Sequence, residues 1–257
     1  DRADMLGIEF GDTYTEAKAK LEKLAAEGIQ PKKPSGSYAD LMSMELRKQA
    51  AGAAPSLSLR EEQRVFQFQV PGQAKMVTAS YIAKIKLDRQ LPGTGERPVR
   101  EYITAHFSGP SSGHQVVGME RFIDYAQVDQ PRISDVLAQL KAKFKADPQV
   151  HFGTEYTYQF NDGQPFVPPV EPILRCLPAL NAIESLDGIR NLNKDGTCDV
   201  VLLLKVNPGV SQDHATSLTF SFADNARIRA NGGADYAFVE SYIASMQKEI
   251  RGAPPKL

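Results

Sequence analysis

Two stretches of this chain begin in closely similar ways, and both have the pattern of a helix start. Residues 11–21 (GDTYTEAKAKL) and 131–140 (PRISDVLAQL) each contain a hydroxyl residue and an acid, then an apolar residue, with a leucine five positions after the acid. This echo predicts a duplicated unit in which a helix precedes a sheet. With 257 residues, 42% of them apolar, the chain is long enough for one large core or two modest ones.

The first helix is marked at both ends. Thr13 and Glu16 have the spacing of a capping box, in which each side chain accepts a hydrogen bond from the other residue's backbone amide. Gly28 and Pro31 predict where the helix stops. Strand patterns then follow over residues 65–70, 76–87, 99–107 and 115–125, and a second, shorter helix is predicted at 38–46.

The pattern restarts after Pro131. Five apolar residues have the spacing of one helix face: Ile133, Val136, Leu137, Leu140 and Phe144. A strand is predicted at 156–160 and a hairpin at 198–206 and 215–222, before a C-terminal helix with an apolar stripe from Tyr236 to Ile250.

These patterns predict an α+β fold built of tandem units, with helices packed on one face of an antiparallel sheet. A boundary is expected near residues 128–130. It separates a first helix-plus-sheet unit, residues 1–128, from a second unit, residues 129–257, which adds a Pro-rich loop and the closing helix.

Cys176 and Cys198 are the only cysteines. They are either two separate buried thiols or a disulfide that closes a long polar loop, and a bridge of that length is worth roughly 3 kcal/mol. The disulfide is favoured, and with it an exported, oxidised protein. Asp1 at the start fits either a removed targeting peptide or a trimmed chain.

Charge and hydropathy argue against nucleic-acid binding and against a membrane-spanning helix. The formal net charge is −1 with acids and bases interspersed, so no basic face for nucleic acid is expected. The longest apolar run, residues 200–204, is far shorter than the roughly 20 residues of a membrane-spanning helix and predicts a buried strand.

Three motifs have the residue types of a catalytic or metal site. Residues 109–113 (GPSSG) match G-x-S-x-G, but the strand pattern that follows favours a hairpin loop over a nucleophile elbow. His106 and His114 flank this loop without a local third ligand for zinc. Residues 191–199 echo a calcium loop, yet Leu202 stands where a bidentate Glu is required. We therefore predict no catalytic, metal or cofactor residues.

The first helix start also resembles a motif of bacterial envelope proteins. The matching residues are Gly11, Thr13, Glu16, Ala17, Leu21, Gly28 and Pro31. The motif is similar to that of small outer-membrane lipoproteins of the SmpA/OmlA type and of the related β-lactamase-inhibitor-protein fold. This resemblance implies a tandem helix-plus-sheet protein that binds other proteins on its sheet and performs no chemistry.

The expected function is thus a non-catalytic bacterial protein-binding or adaptor module, periplasmic or secreted. Its partner is expected to be another protein, with no nucleic acid, no cofactor and no membrane span. An inhibitor or immunity protein for a partner enzyme is one alternative. A hydrolase that gathers Ser111, His114 and Asp124 is the other.

Overall fold

A computed structural model describes residues 4–29, 58–69, 76–95, 97–165, 176–184, 188 and 198–250. Its strands are β1 (Asp4–Met5), β2 (Ile8–Glu9), β3 (Ser58–Gln69), β4 (Met76–Leu91), β5 (Val99–Phe107), β6 (Val116–Asp124), β7 (Gln149–His151), β8 (Glu155–Asn161), β9 (Gln164–Pro165), β10 (Val200–Pro208) and β11 (Ala215–Asp224). Its α-helices are α1 (Tyr14–Glu27), α2 (Ile133–Phe144) and α3 (Asn225–Ile250). Short 3-10 helices lie at Pro110–Ser112, Gln127–Asp129 and Leu180–Glu184.

The sheet is antiparallel throughout these ranges and contains strands from both halves of the chain. Its order is β3-β4-β5-β6-β11-β10-β8-β7, with β9 beside β8. The junction is the pairing of β6 with β11, in which Phe122 lies opposite Thr219. Strands from residues 1–128 and 129–257 therefore form one continuous sheet, and the predicted α+β class is confirmed.

The sheet has two faces with different covers. Successive residues of a strand point to opposite faces, and Phe222 and Ala223 on β11 accordingly belong to two separate core clusters. The larger cluster lies beneath α1 and α2, and we call that side the helical face. The smaller cluster lies on the opposite face.

Helix α1 packs as its sequence predicts. Glu16 accepts a hydrogen bond from the Thr13 amide at 2.9 Å, and the Glu16 amide donates to Thr13 Oγ1 at 3.4 Å, so the capping box is present. Ala17, Leu21 and Leu24 are buried against the helical face. The first helix is thus fixed by both its cap and its apolar stripe.

Helix α2 lies on the same face but packs less deeply. All five residues of its predicted apolar stripe contact the core, yet none of its side chains is fully buried. It ends at Phe144, and the next residue, Lys145, takes a left-handed conformation (φ 52°).

Helix α3 begins on the other face of the sheet, unlike the predicted arrangement. It follows β11 directly, and its Ile228 packs against Val117 and Ala223 in the smaller cluster. The helix starts about ten residues before the predicted stripe, because its first turns are anchored by polar contacts that hydrophobic spacing does not show.

The predicted disulfide is present in that smaller cluster. Cys176 and Cys198 are bonded, with Cα atoms 6.0 Å apart, and both are buried beside Ile228. The bridge holds the segment at 176–184 against the sheet, where Leu180 packs over Gly118.

A cluster of buried charges lies beneath α1. Glu101 on β5 is fully buried and pairs with Arg89 on β4 and with Arg121 on β6, whose Nε donates to Glu101 Oε1 at 2.6 Å. Arg89 also donates to the carbonyl oxygen of Leu24 at 2.6 Å, which satisfies one of the unpaired carbonyls at the end of α1.

Other predicted elements have mixed outcomes. The strand predicted at 99–107 matches β5, and the last hairpin matches β10 and β11 with ends shifted by two residues. The helix predicted at 38–46 lies outside the described residues, as do most of the Pro-rich stretch at 165–178 and most of residues 191–199, which echo a calcium loop. Within the described ranges, no helix is long and apolar enough to cross a membrane.

Candidate functional site

The opposite face of the sheet presents ordered rows of side chains across β4, β5 and β6. The register aligns Lys84 with His106 and Gly118, Lys86 with Thr104 and Glu120, Asp88 with Tyr102 and Phe122, and Gln90 with Arg100 and Asp124. Leu180 covers the first row at Gly118. The other three rows are partly or largely accessible, and we call them the open face.

An aromatic pair occupies the centre of the open face. The rings of Tyr102 and Phe122 are 5.9 Å apart at an interplanar angle of 41°, and Tyr102 is 36% exposed. Such cross-strand aromatic pairs contribute only about 0.2–1 kcal/mol to a sheet. Their exposure in the middle of a polar surface is therefore not explained by folding stability alone.

Charged residues of both signs surround this pair. Lys86 forms an ion pair with Glu62 on β3 at 2.6 Å, and Arg97 forms one with Asp124 at 2.5 Å. These pairs are substantially exposed, so each is worth about 0–1 kcal/mol to stability. Their larger effect is a pattern of alternating charge around an apolar centre, which a partner with the complementary pattern would match.

His106 and Glu120 form the boundary between the covered and open rows. The buried imidazole of His106 is 2.7 Å from Glu120 through Nε2, whereas its Nδ1 has no hydrogen-bond partner within the described part of the chain. The hydrogen bond from His106 lowers the pKa of Glu120, with help from the charges of Lys84 and Lys86, against the opposing effect of partial burial. Glu120 is therefore a carboxylate at neutral pH.

The residues of the hydrolase alternative are not brought together. The Ser111 hydroxyl donates to Asp235 of α3 at 2.6 Å, and His114 lies 2.6 Å from the carbonyl oxygen of Ile82. Asp124 stands at the far end of β6, about 27 Å along the strand from the loop that carries Ser111. The loop interpretation of residues 109–113 is the one that this geometry fits.

Asp235 is a key residue that the sequence did not reveal. Its carboxylate accepts hydrogen bonds from the Gly109 amide at 2.6 Å and from both Ser111 and Ser112. It ties α3 to the β5–β6 loop across more than a hundred residues. No local pattern marks an Asp within a helix as a partner for a distant loop.

The two histidines beside that loop also lie apart. His106 contacts Glu120 on the opposite face, whereas His114 stacks on Tyr14 with ring centroids 4.9 Å apart and meets Phe107 of the helical core. In the described part of the chain there is no group of three or more His, Cys, Asp or Glu residues able to hold a metal ion.

Comparison with known proteins gives no relative. No protein-family model matches the chain, and neither does any curated protein or solved structure at a significant level. The resemblance to SmpA/OmlA-type envelope proteins therefore stays a prediction, and function must be argued from the molecule's own surfaces.

Proposed function

We propose that this protein is a non-catalytic binding or adaptor module that holds another protein on the open face of its sheet. The observation that carries the proposal is the exposed pair of Tyr102 and Phe122 at the centre of a polar, mixed-charge surface. Aromatic residues of this kind are enriched among the few side chains that supply most of the energy of protein interfaces.

The surroundings of the pair support the same role. The rows across β4, β5 and β6 span about 10 Å at the usual strand spacing, which suits the anchoring centre of an interface. The flanking ion pairs, Lys86 with Glu62 and Arg97 with Asp124, form a partly exposed rim that can select a partner by charge.

We further propose that the protein works outside the cytoplasm, in the periplasm or as a secreted protein. The support is the buried disulfide between Cys176 and Cys198, because such bonds persist mainly in oxidising compartments. An inhibitor or immunity protein would use the same face and differ only in having an enzyme as its partner.

The experiment is site-specific photo-crosslinking followed by capture. A photoreactive phenylalanine analogue placed at position 102 is exposed to an envelope extract, with the analogue at Phe152 as the matched control. Phe152 is 91% exposed at the β7–β8 turn, away from the open face. We expect one stoichiometric adduct from position 102 that position 152 does not give.

Alanine variants then measure the contribution of the pair. Tyr102→Ala and Phe122→Ala are each expected to weaken the recovered partner's binding by about 2 kcal/mol, or roughly thirtyfold, whereas Phe152→Ala leaves it unchanged. Assaying the partner for inhibition separates the adaptor from the inhibitor. Equal binding by all three variants, or repeated failure to recover a stoichiometric partner, would contradict the proposal.

A further inference from the structure

The helical face contains a large cleft on the side of the sheet away from the open face. It has a volume of about 800 Å³ and opens between β1–β2, the last turn of α2 and the start of α3. That volume is within the range of roughly 300–1,000 Å³ typical of small-ligand sites. The protein-binding proposal does not use this cleft.

Three phenylalanine rings, Phe10, Phe144 and Phe160, line the cleft, and the buried ring of Phe222 connects Phe10 to Phe144. Phe10 contacts Phe222 with ring centroids 4.7 Å apart, Phe222 contacts Phe144 at 6.0 Å, and Phe144 contacts Phe160 at 5.5 Å. Phe144 and Phe160 are only partly buried. Phe144 and Phe160 therefore give the cleft an accessible apolar wall, which the buried Phe222 joins to Phe10.

Helix α2 leaves additional apolar surface unfilled. A second cavity of about 200 Å³ lies beneath Val136 and Leu140, and it shares Asp4, Lys143 and Phe144 with the larger cleft. This space explains why no side chain of α2 is fully buried, although its stripe faces the core. An apolar chain entering here would remove from water the surface that the helix itself leaves partly exposed.

The guanidinium of Arg227 lies at one end of the cleft, and only some of its N–H donors are used. Arg227 at the start of α3 donates from Nε to Asp224 at 3.2 Å and from Nη1 to Gln115 at 2.8 Å. Its Nη2 has no hydrogen-bond partner in the described part of the chain and lies against Gly11, where there is no side chain. A planar guanidinium with free N–H groups is suited to bind a carboxylate or similar anion.

The two cavities are separated by the ion pair between Lys143 and Asp4, which is easily broken. Lys143 donates to the Asp4 backbone oxygen at 2.7 Å and pairs with its carboxylate at 3.0 Å, and both side chains are partly exposed. Burial opposes ionisation of Asp4, but the hydrogen bonds from Lys143 and the Gly7 amide outweigh it and lower its pKa. A partly exposed ion pair of this kind stabilises little, so it presents a small barrier to a chain passing beneath it.

We propose that this cleft binds an anionic amphiphile with a single apolar chain. The head group lies on Arg227, and the chain runs along the rings of Phe10, Phe144 and Phe160 towards the space under α2. A carboxylate head and a flexible hydrocarbon chain together match the cation at one end and the unfilled apolar surface at the other.

The first test uses the intact protein and dodecanoate below its critical micelle concentration, followed by isothermal titration calorimetry. We expect one-to-one binding that strengthens about fourfold for each added methylene between decanoate and dodecanoate. Dodecyltrimethylammonium has the same chain and a cationic head, and it should bind at least tenfold more weakly. Equal affinity for the two head groups would overturn the assignment.

Substitutions in the cleft, each with a control elsewhere, test whether dodecanoate binds in the cleft or non-specifically at the protein surface. Arg227→Gln should weaken dodecanoate binding at least tenfold, whereas Arg229→Gln, on the same helix but paired with Asp199, should not. Val200 stands in register between Phe160 and Asp224, so Val200→Trp fills the cleft and should abolish binding. Val150→Trp, at an exposed strand position, is its control. Binding that survives Val200→Trp, in a variant whose melting temperature is unchanged, would refute the site.

Discussion

The burial of the charge cluster beneath α1 determines how much stability should be lost when the charge of Glu101 is removed. Glu101 has no exposed surface and Arg89 is 5% exposed, so water screens neither charge. Arg121 is 23% exposed at its side chain and can turn towards solvent. The cost of removing the Glu101 charge therefore comes mainly from Arg89, which would remain buried and keep a longer ion pair, 3.7 Å, with the exposed carboxylate of Glu27.

Glu101→Gln preserves the shape of the side chain and removes only its charge. Breaking a buried pair by neutralising one partner typically costs about 3–5 kcal/mol. For a chain of this size, 1 kcal/mol shifts the melting temperature by about 2–4 °C, so we expect a fall of about 6–20 °C. Thermal and urea unfolding followed by circular dichroism measure the change.

The control is Asp124→Asn, which breaks an exposed pair with Arg97 and should cost no more than about 1 kcal/mol. The double variant Arg89→Met with Glu101→Leu removes both buried charges. It should be less destabilised than the sum of its single variants, by about 2–3 kcal/mol of coupling. If Glu101→Gln costs no more than Asp124→Asn, the buried-charge reasoning is wrong.

Four further predictions use separate features. Replacing Cys176 and Cys198 with alanine should lower stability by about 3 kcal/mol, measured by urea unfolding against the oxidised parent. Gly118→Ala should cost about 1–3 kcal/mol, because the new Cβ would lie 2.0 Å from a Leu180 methyl, and adding Leu180→Ala should recover part of that loss. Because folding lowers the pKa of Glu120, its carboxylate stabilises the protein at pH values above its ordinary pKa, and this stabilisation is lost as the pH falls through the pKa of the folded state. Glu120→Gln should therefore reduce the loss of stability on acidification, measured as the slope of the free energy of unfolding against pH. Hydrogen exchange should be faster in α2 than in α1, and dodecanoate should slow it in α2.

Local patterns predicted the elements of this fold well where the deciding contacts are close in sequence. The capping box of Thr13 and Glu16 lies within one helical turn, and β5 alternates so regularly that its bounds match the prediction. The same alternation places Glu101 in phase with Val99 and Ile103, which is a signal for a buried acid. The position of Glu101 within the strand's alternation, and not its charge, is therefore what indicates its burial.

Long-range pairings could not be predicted in the same way. The contact of β6 with β11 joins segments about a hundred residues apart, and nothing in either strand specifies the other as its neighbour. The open face depends on this pairing and on the register that places Tyr102 beside Phe122. The cleft depends on how deeply α2 packs, which its apolar spacing does not determine.

The two halves of the sheet are covered in opposite ways, and this arrangement accounts for both proposed surfaces. Behind β4 and β5, α1 closes the helical face with a cap and three buried side chains, so stability does not require a cover over Tyr102 on the other side. Behind β10 and β11, the disulfide segment and α3 close the opposite face, so α2 need not pack tightly above Phe222. Each half has one firmly packed face, which is what a sheet needs to bury its apolar residues. The remaining face of each half carries one of the two proposed binding surfaces, so a single sheet presents two unequal surfaces.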